Sequence, residues 1–174
     1  MEHASTDHAS THRTRAASAP AAQARVDGIL ALYRTHYTNL VRLAFLLVGD
    51  RDVAIRVVDE SFARLGRARV GHDGTVPTAA QLRGSVVANA RDHVPVRASS
   101  AAASGTGPSD ERRSILDALY TLPHAQREGL VLQHYGALSD DDLVIAAGAP
   151  IGAVRANASE GLRGLHHALG GRDT

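Results

Sequence analysis

The chain has 174 residues, enough for one domain or two small ones, and its 19 basic residues, all arginine, against 18 acidic residues give a formal charge of +1. This balance excludes a uniformly basic nucleic-acid coat and an acidic tail, and the absence of cysteine excludes a disulfide framework, a thiolate zinc site and a cysteine nucleophile. No apolar run reaches the roughly 18 to 20 residues of a membrane span, and the N-terminus lacks an apolar signal core, so we expect a cytoplasmic protein without membrane insertion.

Residues 1–24 are rich in Ala, Ser, Thr and His and carry no periodic apolar stripe. Such a segment buries too little apolar surface to offset its ordering entropy, so we predict a disordered tail. His3, His8 and His12 could capture a metal ion, but histidines in a polar tail are more often simply solvated, and no metal site is predicted.

Three helices are predicted between this tail and the middle of the chain. Apolar residues recur every three or four positions from Val26 to Val48, the spacing of one helix face. A second amphipathic stretch predicts a helix that ends near Gly66. A third has Pro77 in its first turn and ends by Val94, because the residue before a proline is disfavoured in helical conformation.

Residues 98–111 are dominated by Ala, Ser and Gly, which predicts a flexible linker. The linker divides the chain into two small parts, residues 25–97 and 112–170. The first part holds eleven arginines against seven acidic residues, a net charge of +4, and the second holds five against six, a net charge of −1.

The second part predicts four short helices. Ser139 is expected to cap the third as half of a capping box with Asp142, and we favour this over a metal site in the acidic run. The last helix places its predicted core face on Ile151, Val154, Ala158, Leu162, Leu165 and Leu169. No stretch alternates like a β-strand, so the predicted fold class is all-α. A tight glycine turn before the last helix predicts a helix-turn-helix, a pattern shared by DNA readers and by helical hairpins that only pack.

Taken in order, these segments resemble the extracytoplasmic-function (ECF) sigma factors of bacterial RNA polymerase, of the actinobacterial type. In the first part the similar segments are residues 32–44 (LYRTHYTNLVRLA), 49–54 (GDRDVA), 57–62 (VVDESF) and 82–92 (LRGSVVANARD). In the second part they are residues 119–123 (LYTLP), 126–128 (QRE) and 138–139 (LS), followed by Gly148, Gly152, Val154, Arg155, Ser159, Gly161 and Leu162. No single motif is specific, but the ordered set extends over about residues 27–169.

The resemblance implies two helical domains on a flexible tether, each with its own contacts. Residues 25–97 would bind the polymerase clamp through Asp52, Asp59 and Glu60. The same domain would contact the −10 promoter element through Arg83, Asn89, Arg91 and Arg97. Residues 112–170 would form the helix-turn-helix that reads the −35 element through Arg155, Asn157, Ser159 and Arg163. The implied partners are core RNA polymerase, promoter DNA and, as a further candidate, an anti-sigma factor, with no cofactor.

Some positions depart from the family pattern on these surfaces. The departures are Ile55 and Arg56 in place of an acidic pair, Gly66 and Gln81 in place of aromatic residues, and Asn157 and Glu160 in place of basic ones. A net-negative second part has few cations to neutralise phosphates and should bind DNA weakly on its own. Asn157 could still pair bidentately with adenine.

Two functions therefore stay open. One is a sigma factor that depends on polymerase for most of its binding energy. The other is a sigma-like regulatory protein that acts through protein contacts without autonomous promoter recognition. An enzyme is not predicted, since the adjacent carboxylates of Asp59 and Glu60 point different ways on a helix, and no phosphate-binding glycine loop or paired-histidine metal motif occurs.

Overall fold

The computed structural model describes residues 8–67, 77–93, 108–135 and 138–170, and within these ranges it contains helices and no strand. The predicted all-α class is confirmed. The helices are α1 (His8–Val48), α2 (Arg51–Arg67), α3 (Ala79–Ala90), α4 (Pro108–Thr121), α5 (His124–Tyr135), α6 (Asp140–Ala147) and α7 (Ile151–Gly170). We refer to α1–α3 as the first half and to α4–α7 as the second half.

The first helix begins earlier than its apolar stripe predicts. The structure starts α1 at His8 rather than at Val26, which corrects the prediction of disorder for residues 8–24. Alanine, the residue with the highest helix propensity, fills seven of those seventeen positions, so the helix extends beyond its packed face. The remaining tail prediction, residues 1–7, lies outside the described residues.

Residues next to the helices account for the end of α1 and for the starts of α2 and α3. Gly49 ends α1 with a φ of 80°, in the left-handed region that favours glycine, and Asp50 caps α2 by accepting the Val53 N–H at 2.8 Å. Thr78 and Gln81 form a complete capping box at α3, so Pro77 lies just before the helix and not in its first turn.

The predicted linker is shorter at its C-terminal end. Helix α4 begins at Pro108, so residues 108–111 are helical, and acidic residues in its first turn favour that start. Residues 98–107 lie outside the described part of the chain. The predicted Ser139 cap of α6 is confirmed, since its hydroxyl accepts the Asp142 N–H at 3.2 Å.

Helices α5 and α7 approach closely through glycines. A Cβ on Gly161 would lie 2.7 Å from the Gln126 carbonyl oxygen, and one on Gly129 would lie 2.9 Å from the Ala158 nitrogen. The buried face of α7 therefore runs through Gly161, and Leu162, predicted to be core, is 40% exposed. The prediction that Leu162 is a core residue is therefore wrong. Its neighbour Gly161 takes the position that faces α5, because the two helices are too close there for a side chain.

The two halves pack against each other around one continuous core. The Tyr120 hydroxyl of α4 donates to the Phe45 carbonyl of α1 at 2.9 Å, and their rings meet edge to face. Leu132 of α5 is fully buried, and Gly84 of α3 packs against the α6 backbone. A flexible linker would allow both open and closed arrangements of the two halves, and the described arrangement is closed.

Candidate polymerase and nucleic-acid interface

The predicted clamp contacts lie on the solvent-facing side of α2. Asp52, Asp59 and Glu60 are all exposed, and the exposed Arg56 lies among them while Ile55 is half-buried. We call Asp52, Asp59 and Glu60 the acidic face. It is a mixed surface with three carboxylates around one guanidinium.

Asp59 is positioned by the neighbouring helix. The Tyr37 hydroxyl on α1 donates to Asp59 Oδ1 at 3.0 Å. Partial burial, followed by this hydrogen bond, raises the pKa of Tyr37 to about 12, so the phenol stays a donor at neutral pH. Asp59 is thus fixed in place, while Asp52 and Glu60 are exposed on the same helix.

An exposed apolar stripe on α1 lies beside the acidic face, at positions that the sequence placed only on a periodic helix face. Val26, Leu30 and Tyr33 are 49%, 46% and 41% exposed. The Tyr33 ring lies 4.5 Å from that of Tyr37 and 5.1 Å from that of Phe62, which joins the stripe to α2. Adjacent apolar and charged groups of this kind are typical of protein-binding surfaces.

The four predicted −10 contacts have different environments. Asn89 is buried, with its amide nitrogen donating to the Ser61 hydroxyl at 2.8 Å, so it cannot contact DNA in this arrangement. The Ser61 hydroxyl in turn donates to the Val57 carbonyl at 2.7 Å, which fixes the donor and acceptor roles. Arg83 is half-buried at the edge of a cleft, and Arg97 lies outside the described residues.

Arg91 is bound to the second half. Its Nε and Nη2 donate to the two carboxylate oxygens of Glu128 at 2.9 and 2.6 Å, and Nη2 also donates to the Ala147 carbonyl at 2.7 Å. That carbonyl is at the C-terminal end of α6, where a cation satisfies an otherwise unpaired backbone group. The hydrogen bond to Glu128 raises the pKa of Arg91.

His124 is a second neighbour of the Glu128 carboxylate. Its Nδ1 lies 3.5 Å from Glu128 Oε2, and its Nε2 is buried without a hydrogen-bond partner in the described part of the protein. Burial lowers the pKa of His124, and this outweighs the opposing attraction of Glu128. A neutral imidazole at this position leaves Arg91 as the charged partner of Glu128.

Two clefts of about 250 Å³ each open along the boundary between the halves. One contains Arg83 and His36 above a floor of Leu40, Leu43 and Leu132. The other contains the Arg91–Glu128 pair with His124, and Asn157 lines its wall. Asn157, a predicted −35 contact, is therefore half-buried at this cleft and is not on the fully exposed face of α7.

The other predicted −35 contacts lie on the outer face of α7. Arg155, Ser159 and Arg163 are exposed and follow one another every four residues. Arg155 Nη2 lies 2.9 and 2.7 Å from the two oxygens of Asp140 at the start of α6. Gly148 turns the chain between α6 and α7 with a φ of 62°, again in the left-handed region.

Searches of the described residues for two other kinds of site found none. No group of three or more His, Asp or Glu side chains is placed to hold a metal ion. Within the same residues, no helix combines the length and the apolar character required to span a bilayer.

Comparison with known proteins gives a local match. No protein-family model matches the chain. Two curated relatives, each described as a probable ECF RNA polymerase sigma factor SigI and belonging to two strains of Mycobacterium tuberculosis, are 51% identical to this chain over 45 residues. The matched segment spans 26% of this chain and 16% of each relative. The similarity supports a relationship to ECF sigma factors at the level of that segment.

Proposed function

We propose that this protein is a sigma-like subunit that binds core RNA polymerase in the cytoplasm and directs it to promoters. The observation that carries the proposal is the surface on which the α2 acidic face meets the exposed apolar stripe of α1. Exposed carboxylates beside exposed Leu30 and Tyr33 form a surface suited to a partner with basic and apolar groups. The local similarity to ECF sigma factors supports polymerase as that partner.

Charge reversal on the acidic face tests polymerase binding. The variant carrying both Asp52→Arg and Glu60→Arg should lose at least about tenfold in affinity for actinobacterial core polymerase, measured by titration of labelled protein. Glu111→Arg is the charge-reversal control, because Glu111 is also an exposed acid but lies on α4, outside the acidic face. Wild-type protein that is folded by circular dichroism but fails to bind the core enzyme would overturn the proposal.

Promoter reading is assigned to the outer face of α7. Arg155, Ser159 and Arg163 can meet DNA without disturbing the packed side of the helix. Two arginines supply few phosphate contacts, so polymerase must provide most of the binding energy. Run-off transcription with core polymerase should give a promoter-specific product that Arg155→Ala and Arg163→Ala together reduce.

A second candidate is a sigma-like regulatory protein that binds polymerase or an anti-sigma factor without starting transcription. The observation that favours it is that three predicted DNA contacts already have partners within the chain. Asn89 is buried, while Arg91 and Arg155 are bound by carboxylates. Polymerase binding without run-off product from any promoter pool would select this candidate over the first.

A further inference from the structure

One side of α3, together with the residue that follows the helix, is covered by helices of the second half. Gly84 and Arg91, seven residues and about two helical turns apart, both lie against this cover. Gly84 meets α6, and Arg91 meets α5 and the end of α6. We call this contact the α3 seam. It includes Arg91, one of the predicted −10 promoter contacts.

Arg91 is the central group of the α3 seam because its chemistry fits two kinds of partner. A guanidinium fork binds a carboxylate or a phosphate with the same pair of parallel N–H donors. In this structure Nε and Nη2 both donate to the Glu128 carboxylate, and Nη2 also donates to the Ala147 carbonyl. The guanidinium therefore cannot bind a DNA phosphate in the same way while the seam is closed.

Burial of Glu128 links the choice of partner for Arg91 to the packing of the two halves. The Glu128 side chain is only 9% exposed, and Arg91 is the arginine that neutralises it. If DNA withdrew Arg91 while the halves stayed packed, the Glu128 carboxylate would remain buried and would lose the guanidinium that donates to both of its oxygens, which is costly. We therefore expect release of Arg91 to accompany exposure of Glu128 to water, through separation of the halves.

The backbone contact at Gly84 makes the separation a discrete step. A Cβ at this position would lie 3.0 Å from the Ile145 carbonyl oxygen and 3.4 Å from the Ala146 Cα. Helices in such close contact leave no room for a DNA strand between them. Contacts of this kind are either made or broken, as expected for a two-state element.

We propose that the α3 seam is a surface with one occupant at a time, either α5 and α6 of the same chain or the −10 strand of promoter DNA. The proposal rests on the proposed sigma-like function and adds its regulation. The free protein is held closed by its own second half, and a partner that separates the halves exposes Arg91. Apparent affinity for DNA is then reduced by the fraction of molecules that are open.

Two substitutions open the seam by independent means. Glu128→Gln removes the charge that holds Arg91, and Gly84→Leu inserts a side chain where the α3 and α6 backbones touch. The second also replaces glycine by a better helix former, so α3 itself should not be weakened. Their matched controls are Glu111→Gln, an exposed acid on α4, and Gly170→Leu, where an added Cβ meets nothing within 4 Å.

Closure is measured first, in the full chain and without polymerase. Because the chain contains no cysteine, Ala63→Cys on α2 and Arg112→Cys on α4 provide the two labelling positions for a fluorescent donor and acceptor. Energy transfer should fall in Glu128→Gln and in Gly84→Leu and should stay at the wild-type level in both controls. Far-UV circular dichroism must show the same helix content in every variant that is scored.

DNA binding is measured next, with a fluorescein-labelled duplex that carries a central unpaired bubble of random sequence. A closed protein with an open fraction of about 1–10% should gain roughly 10- to 100-fold in apparent affinity when the seam is opened. Adding Arg91→Ala to Gly84→Leu should remove most of that gain, since the exposed guanidinium is then absent. The Gly84→Leu arm keeps the proposal testable if Glu128→Gln fails to fold.

The outcomes separate the two proposals. Unchanged energy transfer in both seam variants, or open variants whose DNA affinity stays within twofold of wild type, overturns shared occupancy of the seam whether or not polymerase binds. Failure of wild-type protein to bind core polymerase overturns the proposed function, while the energy-transfer result still reports whether the seam holds the free chain closed.

Discussion

Two arginine–carboxylate pairs involve predicted DNA-contact arginines, and they differ in their surroundings. Arg91 binds Glu128, whose side chain is 9% exposed, whereas Arg155 binds Asp140 with both side chains more than half exposed. An exposed pair is screened by water and contributes about 0–1 kcal/mol, while breaking a buried pair leaves a charge without compensation. The same chemistry therefore fastens the two halves at one end of the molecule and forms a readily exchanged surface contact at the other.

The largest expected change in the free energy of unfolding comes from apolar residues, where the same contrast between buried and exposed positions applies. Leu132→Ala, at a fully buried position between α5 and α1, should lower the free energy of unfolding by about 2–5 kcal/mol through a cavity. Leu162→Ala, at a 40% exposed position, should lower it by less than about 1 kcal/mol. Urea denaturation of the full chain measures both, and equal losses would mean that the face of α7 is misplaced.

Next in size is the loss of the buried pair. Arg91→Ala should reduce the free energy of unfolding by about 2–3 kcal/mol, below the full cost of a buried pair because the Arg91 side chain is itself 44% exposed. Arg155→Ala should cost less than about 0.5 kcal/mol in the same measurement. The comparison fails if the two substitutions have the same effect.

A double-mutant cycle sharpens this second prediction. If Arg91→Ala acts by leaving Glu128 unpaired, then Arg91→Ala combined with Glu128→Gln should be less destabilising than the sum of the single changes. The corresponding cycle for Arg155 and Asp140 should be close to additive. Additivity at both pairs would assign the Arg91 effect to packing of its aliphatic stem.

The regular parts of this fold could be predicted from sequence because their signals are local. The amphipathic spacing correctly predicted the helix α2, whose buried face carries Val57, Val58 and Phe62, and Ser139 correctly marked the start of α6. Each of these signals lies within a few residues of what it specifies. Periodicity and capping are sufficient for such elements.

The contacts between elements could not be predicted in the same way. Glycine carries no apolar signal, so the close approach at Gly161 is invisible to a periodicity count, and Leu162 was assigned to the core in its place. The burial of Asn89 depends on Ser61, 28 residues away, and the binding of Arg91 depends on Glu128, 37 residues away. Nothing local to either residue distinguishes a DNA contact from an internal one.

A smaller effect is expected from pH at the buried pair. The pKa of His124 is lowered by burial, so in the folded protein the imidazole stays neutral at a pH where the unfolded chain, with a pKa near 6.5, binds a proton. Stability from this group is therefore complete above about pH 6.5 and is lost as the pH falls toward the lowered pKa, by on the order of 1 kcal/mol per pH unit at most.

His124→Gln should flatten the dependence of unfolding free energy on pH between about pH 5.5 and 7. The charged groups facing this imidazole are Glu128 and Arg127 on α5 and Arg91 at the end of α3, and the substitution leaves all three in place. His166→Gln, at an exposed position of α7, serves as the control and should leave the slope unchanged. A slope that survives His124→Gln would place the titrating group elsewhere.

The smallest expected effect concerns the exposed pair. Asp140→Asn should change the free energy of unfolding by less than about 0.5 kcal/mol, because both partners are already hydrated. It should nonetheless raise the affinity of the full chain for random-sequence DNA a few-fold at low salt, since Arg155 is released for phosphate, and the gain should shrink as salt rises. Asp141→Asn makes the same change in net charge one residue away and keeps the Arg155–Asp140 pair, so it should give a smaller gain. Equal gains from both substitutions would mean that net charge, and not release of Arg155, controls binding on this face.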